Sequence, residues 1–598
     1  MDRRMFLAFV LIFLILTGYP VLMQKFFPAP PPRQVEAVQE DGVADTADAP
    51  DEIQVTGSHG TGFEPPAAGS FDLAAPDITT AADALRFVDQ PAERTVTVRT
   101  PLYELEISTK GGRIVSWKSF AYDSWEGGPV QLIPRDIPAV GSDAILFRGA
   151  DLDLGSVVYS ADRQILDLSG SGGSASLVLS APTAGGLEIR KIFTFHPDLY
   201  GMEVDFVVAA AGDPGPALAL TGAPDKVRFG WNQGLAPTER IQRLEDMSMR
   251  AVAKIGEDLQ FKKLQDLKKS EEKVSGLWTG SVRFAGLQTR YFTATGIVPQ
   301  EQGEPVEGTI RLGGDQERLI QSWTIEVPVR RGMGEEIAQA RLDLFVGPQE
   351  AELLQSYGQG LEKSMELGWK LFRPLAEVVL WGMELMHRFI PNYGLIIIVF
   401  SILTKLMFYP LTKTSTQSMK KMQEIQPKMK ALQEKYKNDK DKLNQEMMKL
   451  YREEKVNPAA GCLPLLVQSP VFIALYQALN HTISLRGQPF VLWIDDLSQP
   501  DAIAQLPFSL PFLGSDLNLL PILMAAATYF QTKLTPTSGA GGQMAMMNAM
   551  MPLIMIFFFY NMPSGLVLYW LVNTILQGYQ MWQIHRTAAP AGEGAQVK

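Results

Sequence analysis

The organisation of the chain turns on residues 393–410, Tyr393-Gly394-Leu-Ile-Ile-Ile-Val-Phe-Ser401-Ile-Leu-Thr404-Lys405-Leu-Met-Phe-Tyr409-Pro410. An apolar run of this kind reads as a membrane-crossing helix, yet it holds an ammonium group. A charge at membrane depth costs about 2.5–3.5 kcal/mol on insertion scales, so it normally faces a polar cavity or a partner. No apolar segment near the C-terminus carries a carboxylate. Two readings of Lys405 therefore stand. It is a lone cation in a wet intramembrane pocket, or it snorkels to the interface just ahead of Pro410.

Four more apolar runs follow, at Ala459–Ile483, Leu517–Leu534, Met546–Met562 and Gly565–Trp582, the last two parted by a tight turn at Pro563-Ser564-Gly565. At the other end, Arg3 and Arg4 precede the uncharged stretch Met5–Met23, which reads as a retained signal-anchor. That makes six crossings with both termini in the cytoplasm. The loop 411–458 carries twelve Lys/Arg against seven Asp/Glu, net +5, as a cytoplasmic loop should. The loop 484–516 has net charge −3 and is expected outside.

Composition agrees with a mixture of spans and a large soluble part: 598 residues, 46% of them hydrophobic, with a mean hydropathy of +0.01. The single cysteine, Cys462, excludes an intramolecular disulfide and any cysteine-based zinc site, and is expected buried and inert. Residues 28–90 hold eight prolines and twelve acids against two arginines, too little apolar material to offset the entropy of ordering. They read as an extended linker.

From about Arg94 to Pro348 the apolar period becomes two. Leu187, Ile189, Phe193 and Phe195 alternate with polar neighbours, and glycine turns such as Gly111-Gly112 punctuate the runs. Many short strands of this kind predict a large antiparallel sandwich. Residues 241–275, polar and without alternation, read as a surface insertion of helical character. The sandwich holds one histidine, His196, and no paired carboxylates, so catalysis is not expected there. Residues 350–370 and a helix from Pro374 to Phe389 are amphipathic, the latter suited to lying on a membrane surface. Within 411–458, stripes at Met419, Met422, Met429, Leu432 and Tyr436 and at Leu443, Met447, Leu450 and Tyr451 predict a helical hairpin turning at Asn438-Asp439. Its exterior is basic, through residues such as Lys420, Lys421, Lys428 and Lys430, a surface for anionic lipid or ribosomal RNA. A solvated hairpin obeying the orientation rule is the alternative.

Polar positions recur at helical spacing inside the spans. Ser401, Thr404 and Lys405 form one stripe, and Tyr569, Asn573, Gln577 and Gln580 another, with Gln468 and Gln477 on a third span. Each alone reads as helix–helix glue. Together with an unpaired lysine they predict a shared hydrated groove.

The stretches YPLTKTSTQSMKKMQEIQPKMKALQEKY, EEKVNPAAGCLPLLVQSPVFIALYQAL, LWIDDLS and PSGLVLYW resemble the YidC family of membrane protein insertases, and ISTKGGRIVSWK extends a weaker likeness into the sandwich. The resemblance implies a Gram-negative inner-membrane protein. It would be a six-span α-helical membrane protein with a large periplasmic antiparallel β-sandwich, supersandwich-like, and a cytoplasmic helical hairpin. The expected order is an anchor at 1–27, a linker at 28–93, the sandwich at 94–348 and interfacial helices at 349–390. The second span follows at 391–410, the hairpin at 411–458, four further spans at 459–586 and a short tail at 587–598. The expected substrate groove comprises Lys405, Ser401, Thr404, Gln468, Tyr569, Trp570 and Asn573. Arginine is the familiar residue at the position of Lys405, so the charge is kept and the bidentate fork is lost.

The implied partners are nascent membrane proteins, the Sec translocon, the ribosome and targeting receptor, and membrane lipids. No cofactor, metal or enzymatic activity is expected. A solute transporter or channel would call for internal repeats and intramembrane carboxylates, and neither is visible in the sequence. An envelope scaffold with a carbohydrate-binding sandwich would leave the Lys405 stripe without a purpose.

Overall fold

Strand alternation is realised almost residue by residue in Leu187–Phe195, where buried and half-buried side chains take turns along the whole strand. The computed structural model describes residues 79–587 apart from 135–142, 171, 265–273, 301–303, 316–319, 333, 369–370, 438, 455–462, 511–512 and 535–540. The expected anchor Met5–Met23, Cys462, Asn438 and most of the linker lie outside these residues.

Among the described residues, a five-stranded sheet runs in the order Pro129–Gln131, Arg113–Asp123, Tyr103–Ser108, Thr95–Arg99, Ile165–Asp167. A fifteen-stranded sheet has Glu336–Pro348 near its middle, paired with Gly201–Ala210 on one side and Phe292–Ile297 on the other. Pairing is antiparallel except where Thr95–Arg99 meets Ile165–Asp167 in parallel. Gly111 and Gly112 turn through positive φ (+73° and +57°), and a Cβ on Gly112 would meet the Lys191 side chain at 2.9 Å. Only glycine allows both the turn and that close approach.

Three short helices, α1 (Ala81–Leu85), α2 (Gly215–Thr221) and α3 (Gln242–Ser248), decorate the sheets. Helix α1 lies inside the stretch expected to be linker; Thr80 caps it, and Ala84 and Leu85 are buried. Part of the expected insertion at 241–275 is helical, at α3. Beyond it, Arg250–Ile255 and Asp258–Lys263 form a hairpin that joins the large sheet through Val274–Gln288. The polar sequence disguises this strand because its buried charges are matched by distant groups. Arg250 donates to Gln288 and to the Ser364 carbonyl, and Lys254 Nζ donates to the Gln359 carbonyl at 2.9 Å.

Among the described residues, the amphipathic stretch 350–370 yields α4 (Ala351–Ser356) and a 3-10 turn at Leu361–Ser364 in place of one continuous helix. Gly358, Gln359 and Gly360 all take positive φ between them, which no continuous helix allows. Helix α5 (Arg373–His387) opens with Pro374 in its first turn, as expected. It buries Ala376, Val379 and Met383 and leaves Val378 and Trp381 exposed, with Leu371 and Phe389 exposed just beyond its two ends.

The remaining helices are α6 (Tyr393–Met407), α7 (Tyr409–Glu424), α8 (Gln426–Lys435), α9 (Lys440–Glu453), α10 (Leu463–His481), α11 (Leu519–Leu534), α12 (Gly541–Phe559) and α13 (Ser564–Thr587). Helices α6, α10, α11, α12 and α13 occupy the five apolar runs. Among the described residues no helix is long and apolar enough to cross a membrane by itself. Helix α6 has 15 residues, about 22 Å at 1.5 Å per residue, because it breaks at Phe408 ahead of Pro410. Helices α7 and α8 form one arm of the hairpin and α9 the other, with Met422, Ile425, Met429 and Leu450 buried between them. Asp439 caps α9 by accepting from the Lys442 amide at 3.0 Å. The loop 484–516 is partly ordered as a β-hairpin, Ala502–Leu510 against Gly514–Asn518.

Buried polar contacts seat the sandwich on the helices. Arg290, 2% exposed, donates from Nε to the Asn480 carbonyl (2.9 Å) and from Nη2 to Asn480 Oδ1 (2.9 Å) and the Ser498 carbonyl (3.2 Å). Arg486 pairs with Glu239 at 2.7 Å, both nearly fully buried, and Gln499 donates to the other oxygen of Glu239 at 2.7 Å.

Candidate functional site: a polar seam between α6, α10 and α13

Helix α6 begins where Asn392 accepts from the Leu395 amide at 3.1 Å, and its β-branched and leucine side chains fill the positions that follow. The polar residues are laid out one turn apart near its end. Ser401 Oγ donates to the Ile397 carbonyl (2.8 Å) and Thr404 Oγ1 to the Ser401 carbonyl (3.0 Å), so both buried hydroxyls are satisfied within the helix. Lys405 is half-buried, and its Nζ donates to Gln577 Oε1 of α13. The partner is a neutral amide. That contact brings no counter-charge to the ammonium.

Helix α13 starts where Pro563 ends the preceding turn, and Ser564 Oγ ties its first residue to the Asp496 carbonyl at 2.8 Å. Its polar stripe meets the other two helices. Tyr569 is fully buried, and its hydroxyl is within hydrogen-bonding reach of Thr404. Gln468 of α10 donates to Asn573 Oδ1 at 3.2 Å and more weakly to the Tyr569 hydroxyl at 3.4 Å. Asn573 Nδ2 returns to the Tyr569 carbonyl at 2.9 Å. Two turns further on, Gln580 Nε2 donates to Thr412 Oγ1 of α7 at 3.3 Å. The seam thus runs from Ser401 and Tyr569 through Lys405 and Gln577 to Thr412 and Gln580. It is built of hydroxyls and amides, with one ammonium and no carboxylate.

Of the seven expected groove residues, Gln468, Tyr569 and Asn573 are joined by hydrogen bonds, Thr404 adjoins Tyr569, and Ser401 and Lys405 lie one turn apart on α6. Trp570 is elsewhere. Its ring packs edge-on against Phe472 (4.9 Å between centroids) and at a tilt against Phe559 (5.3 Å), inside an aromatic cluster. One residue along a helix is a rotation of about 100°, so the neighbour of Tyr569 faces a different side. Gln577 and Thr412 belong to the seam and were absent from the expected set. The spacing Tyr569, Asn573, Gln577 already contained the first of them.

On the hairpin, Lys421, Lys428 and Lys430 are exposed. Lys428 is tied to Glu454 of the opposite arm at 2.6 Å, which lessens the free positive charge the sequence suggested there. Lys420 lies on α7, and its side chain is outside the described residues.

Comparison with known proteins gives matches over nearly the whole chain. The family described as "YidC periplasmic domain" matches residues 95–381, and that described as "60Kd inner membrane protein" matches 385–591. The "Membrane protein insertase YidC" of Syntrophus aciditrophicus is 33% identical over 98% of this chain and 100% of its own length. That of Geobacter sulfurreducens is 34% identical over 82% of this chain and 86% of its own. The solved structure titled "Active YidC insertase crystal structure with the first transmembrane domain resolved" aligns at 19% identity and a TM-score of 0.35, covering 83% of this chain and 94% of that one.

Proposed function

The chain belongs to the YidC family of membrane protein insertases, and from that membership and the polar seam we propose how it handles its clients. It is an inner-membrane insertase with a large, β-rich periplasmic domain. The observation that carries the mechanism is the contact between Lys405 and Gln577, a basic side chain held between α6 and α13 among hydroxyls and amides.

A hydrophilic tail cannot cross ~30 Å of hydrocarbon unaided, because each unsatisfied polar group costs several kcal/mol there. In our reading the seam is the wall of a groove wetted from the cytoplasm, which shortens the dry distance. Lys405 attracts acidic tail residues, while Ser401, Thr404, Gln468, Tyr569 and Asn573 offer hydrogen bonds in place of water. The apolar segment of the client leaves sideways into lipid. The shortness of α6 supports this arrangement, since a thin wall leaves less hydrocarbon to cross.

We read the five helices, together with Met5–Met23, as six crossings with both termini in the cytoplasm. The basic hairpin α7–α9 then lies on the cytoplasmic side, where Lys420, Lys421 and Lys430 meet the ribosome, the targeting receptor or anionic lipid, and the Sec translocon is a part-time neighbour. The exposed apolar side chains of α5, Val378 and Trp381, with Phe389 just after it, support its lying on the periplasmic surface of the inner membrane. No step in this scheme makes or breaks a covalent bond, so the protein is read as a non-enzyme.

Crosslinking of stalled nascent chains tests the groove. Photoreactive groups placed at Gln468 and Gln577 should capture the client, and one at Trp570 should not. Equal capture from all three positions would remove the seam as the client's path.

A further inference from the structure

Inside the sandwich, well away from the seam, lies a cavity of about 60 Å³, enough for several waters or for the head of a small ligand. Its walls divide by chemistry. On one side are the rings of Phe193, Phe229, Trp231 and Trp323, all buried. The indole N–H groups are already used: Trp231 donates to the Gly234 carbonyl at 2.7 Å and Trp323 to the Ala294 carbonyl at 3.2 Å. Only apolar ring surface is left to face the cavity.

The other side is polar, and part of it is spent. Lys191 Nζ donates to Asp143 Oδ2 at 2.6 Å and to the Gly112 carbonyl at 2.8 Å, while Asp143 Oδ1 accepts the Gly230 amide at 2.9 Å. One donor remains unspent. Arg113 Nε is buried and has no hydrogen-bond partner among the described residues. Gln233, 5% exposed, lines the cavity beside it. Buried donors left unpaired are costly and are rarely kept without a ligand or water to receive them. Charge points the same way, with two cations, Arg113 and Lys191, against the single carboxylate of Asp143.

We propose that this cavity binds a carboxylate. The Arg113 guanidinium receives the carboxylate, Gln233 donates its amide, and the ligand's apolar body lies against the tryptophan and phenylalanine rings. Two sources share that chemistry: a free organic acid, or the terminal carboxylate of a peptide chain. The cavity admits the end of such a chain and not its length.

The test uses the detergent-solubilised full chain, with binding read by calorimetry and by saturation-transfer NMR. Four probes serve: benzoate, its neutral isostere benzamide, an acetylated dipeptide with a free C-terminus, and the same dipeptide amidated. Benzoate should bind saturably and about tenfold more tightly than benzamide, the worth of one charge-assisted pair. Arg113→Gln should remove that advantage and Arg113→Lys should restore part of it, while Gln233→Leu weakens both acids. Preference for the dipeptide acid over benzoate identifies a chain end, and the reverse a free acid. Equal binding of benzoate and benzamide, or no saturable binding of either acid, overturns the proposal. If Arg113→Gln melts lower than the native protein, the benzoate–benzamide comparison on the native chain decides alone.

Discussion

Replacing Lys405 with leucine should slow insertion of clients whose translocated tails are acidic and spare those with neutral tails. The ammonium is bonded to the Gln577 amide, and among the described residues no carboxylate pairs with it. A tail carboxylate separated from it by one water, at about 6 Å, gains roughly 3 kcal/mol with an effective dielectric of about 20. That is a ceiling of about a hundredfold. Because Lys405 is only half-buried, solvent screening reduces the expected effect to the order of tenfold. The assay is protease protection of two matched clients in proteoliposomes, one tail carrying three aspartates and the other three asparagines. Lys405→Arg should match the native protein, Lys405→Leu should lose the acidic client selectively, and Lys405→Glu should lose it further. A leucine variant that inserts both tails at native rates would refute the electrostatic argument. One that loses both equally would move the role from charge to hydration.

Cysteines placed in 411–458 should resist labelling from outside the cell, and those in 94–348 should react once the outer membrane is opened; labelling of the hairpin from outside would undo the assigned topology. Arg486→Met leaves Glu239 buried without its cation and should cost about 3 kcal/mol, seen as faster hydrogen exchange around residues 232–248; unchanged exchange would mean the pair is dispensable. Glu245 is pushed up to about 7 by burial, with the nearby Glu239 adding to the rise and Arg290 opposing it. A carboxyl raised in the folded state stabilises fully below its ordinary value near 4.5 and loses that contribution as pH climbs through about 7. The melting temperature should therefore fall between pH 5 and pH 8, and Glu245→Gln should flatten the fall; an equally steep profile in the variant would place the titration elsewhere.

The seam was legible because both of its stripes are local. Ser401 and Lys405, and Tyr569, Asn573, Gln577 and Gln580, show their shared faces through helical spacing alone. What spacing cannot supply is the rotation between helices, and so Trp570, adjacent to a seam residue, was placed on the wrong side. The alternation of Leu187–Phe195 made the sandwich readable, whereas Arg250–Ile255 was hidden. Its buried arginine and lysine resemble surface residues until their partners at Gln288, Gln359 and Ser364 arrive from elsewhere in the chain. The contact between sandwich and helices was unreadable for the same reason. Arg290, Glu239 and Arg486 are far apart in the chain, and only folding makes them neighbours. The lone cation Arg486 in an otherwise acidic loop was the one available hint.

The Arg290 contacts also have a mechanical consequence. The guanidinium grips both the end of α10 and the loop beyond it at Ser498, so the joint has two points of purchase and resists swivelling. A tug on the sandwich is delivered as torque to the end of α10, the helix that carries Gln468 into the seam. Whatever holds or pulls the outer domain therefore has a stiff lever onto the wall along which clients would pass.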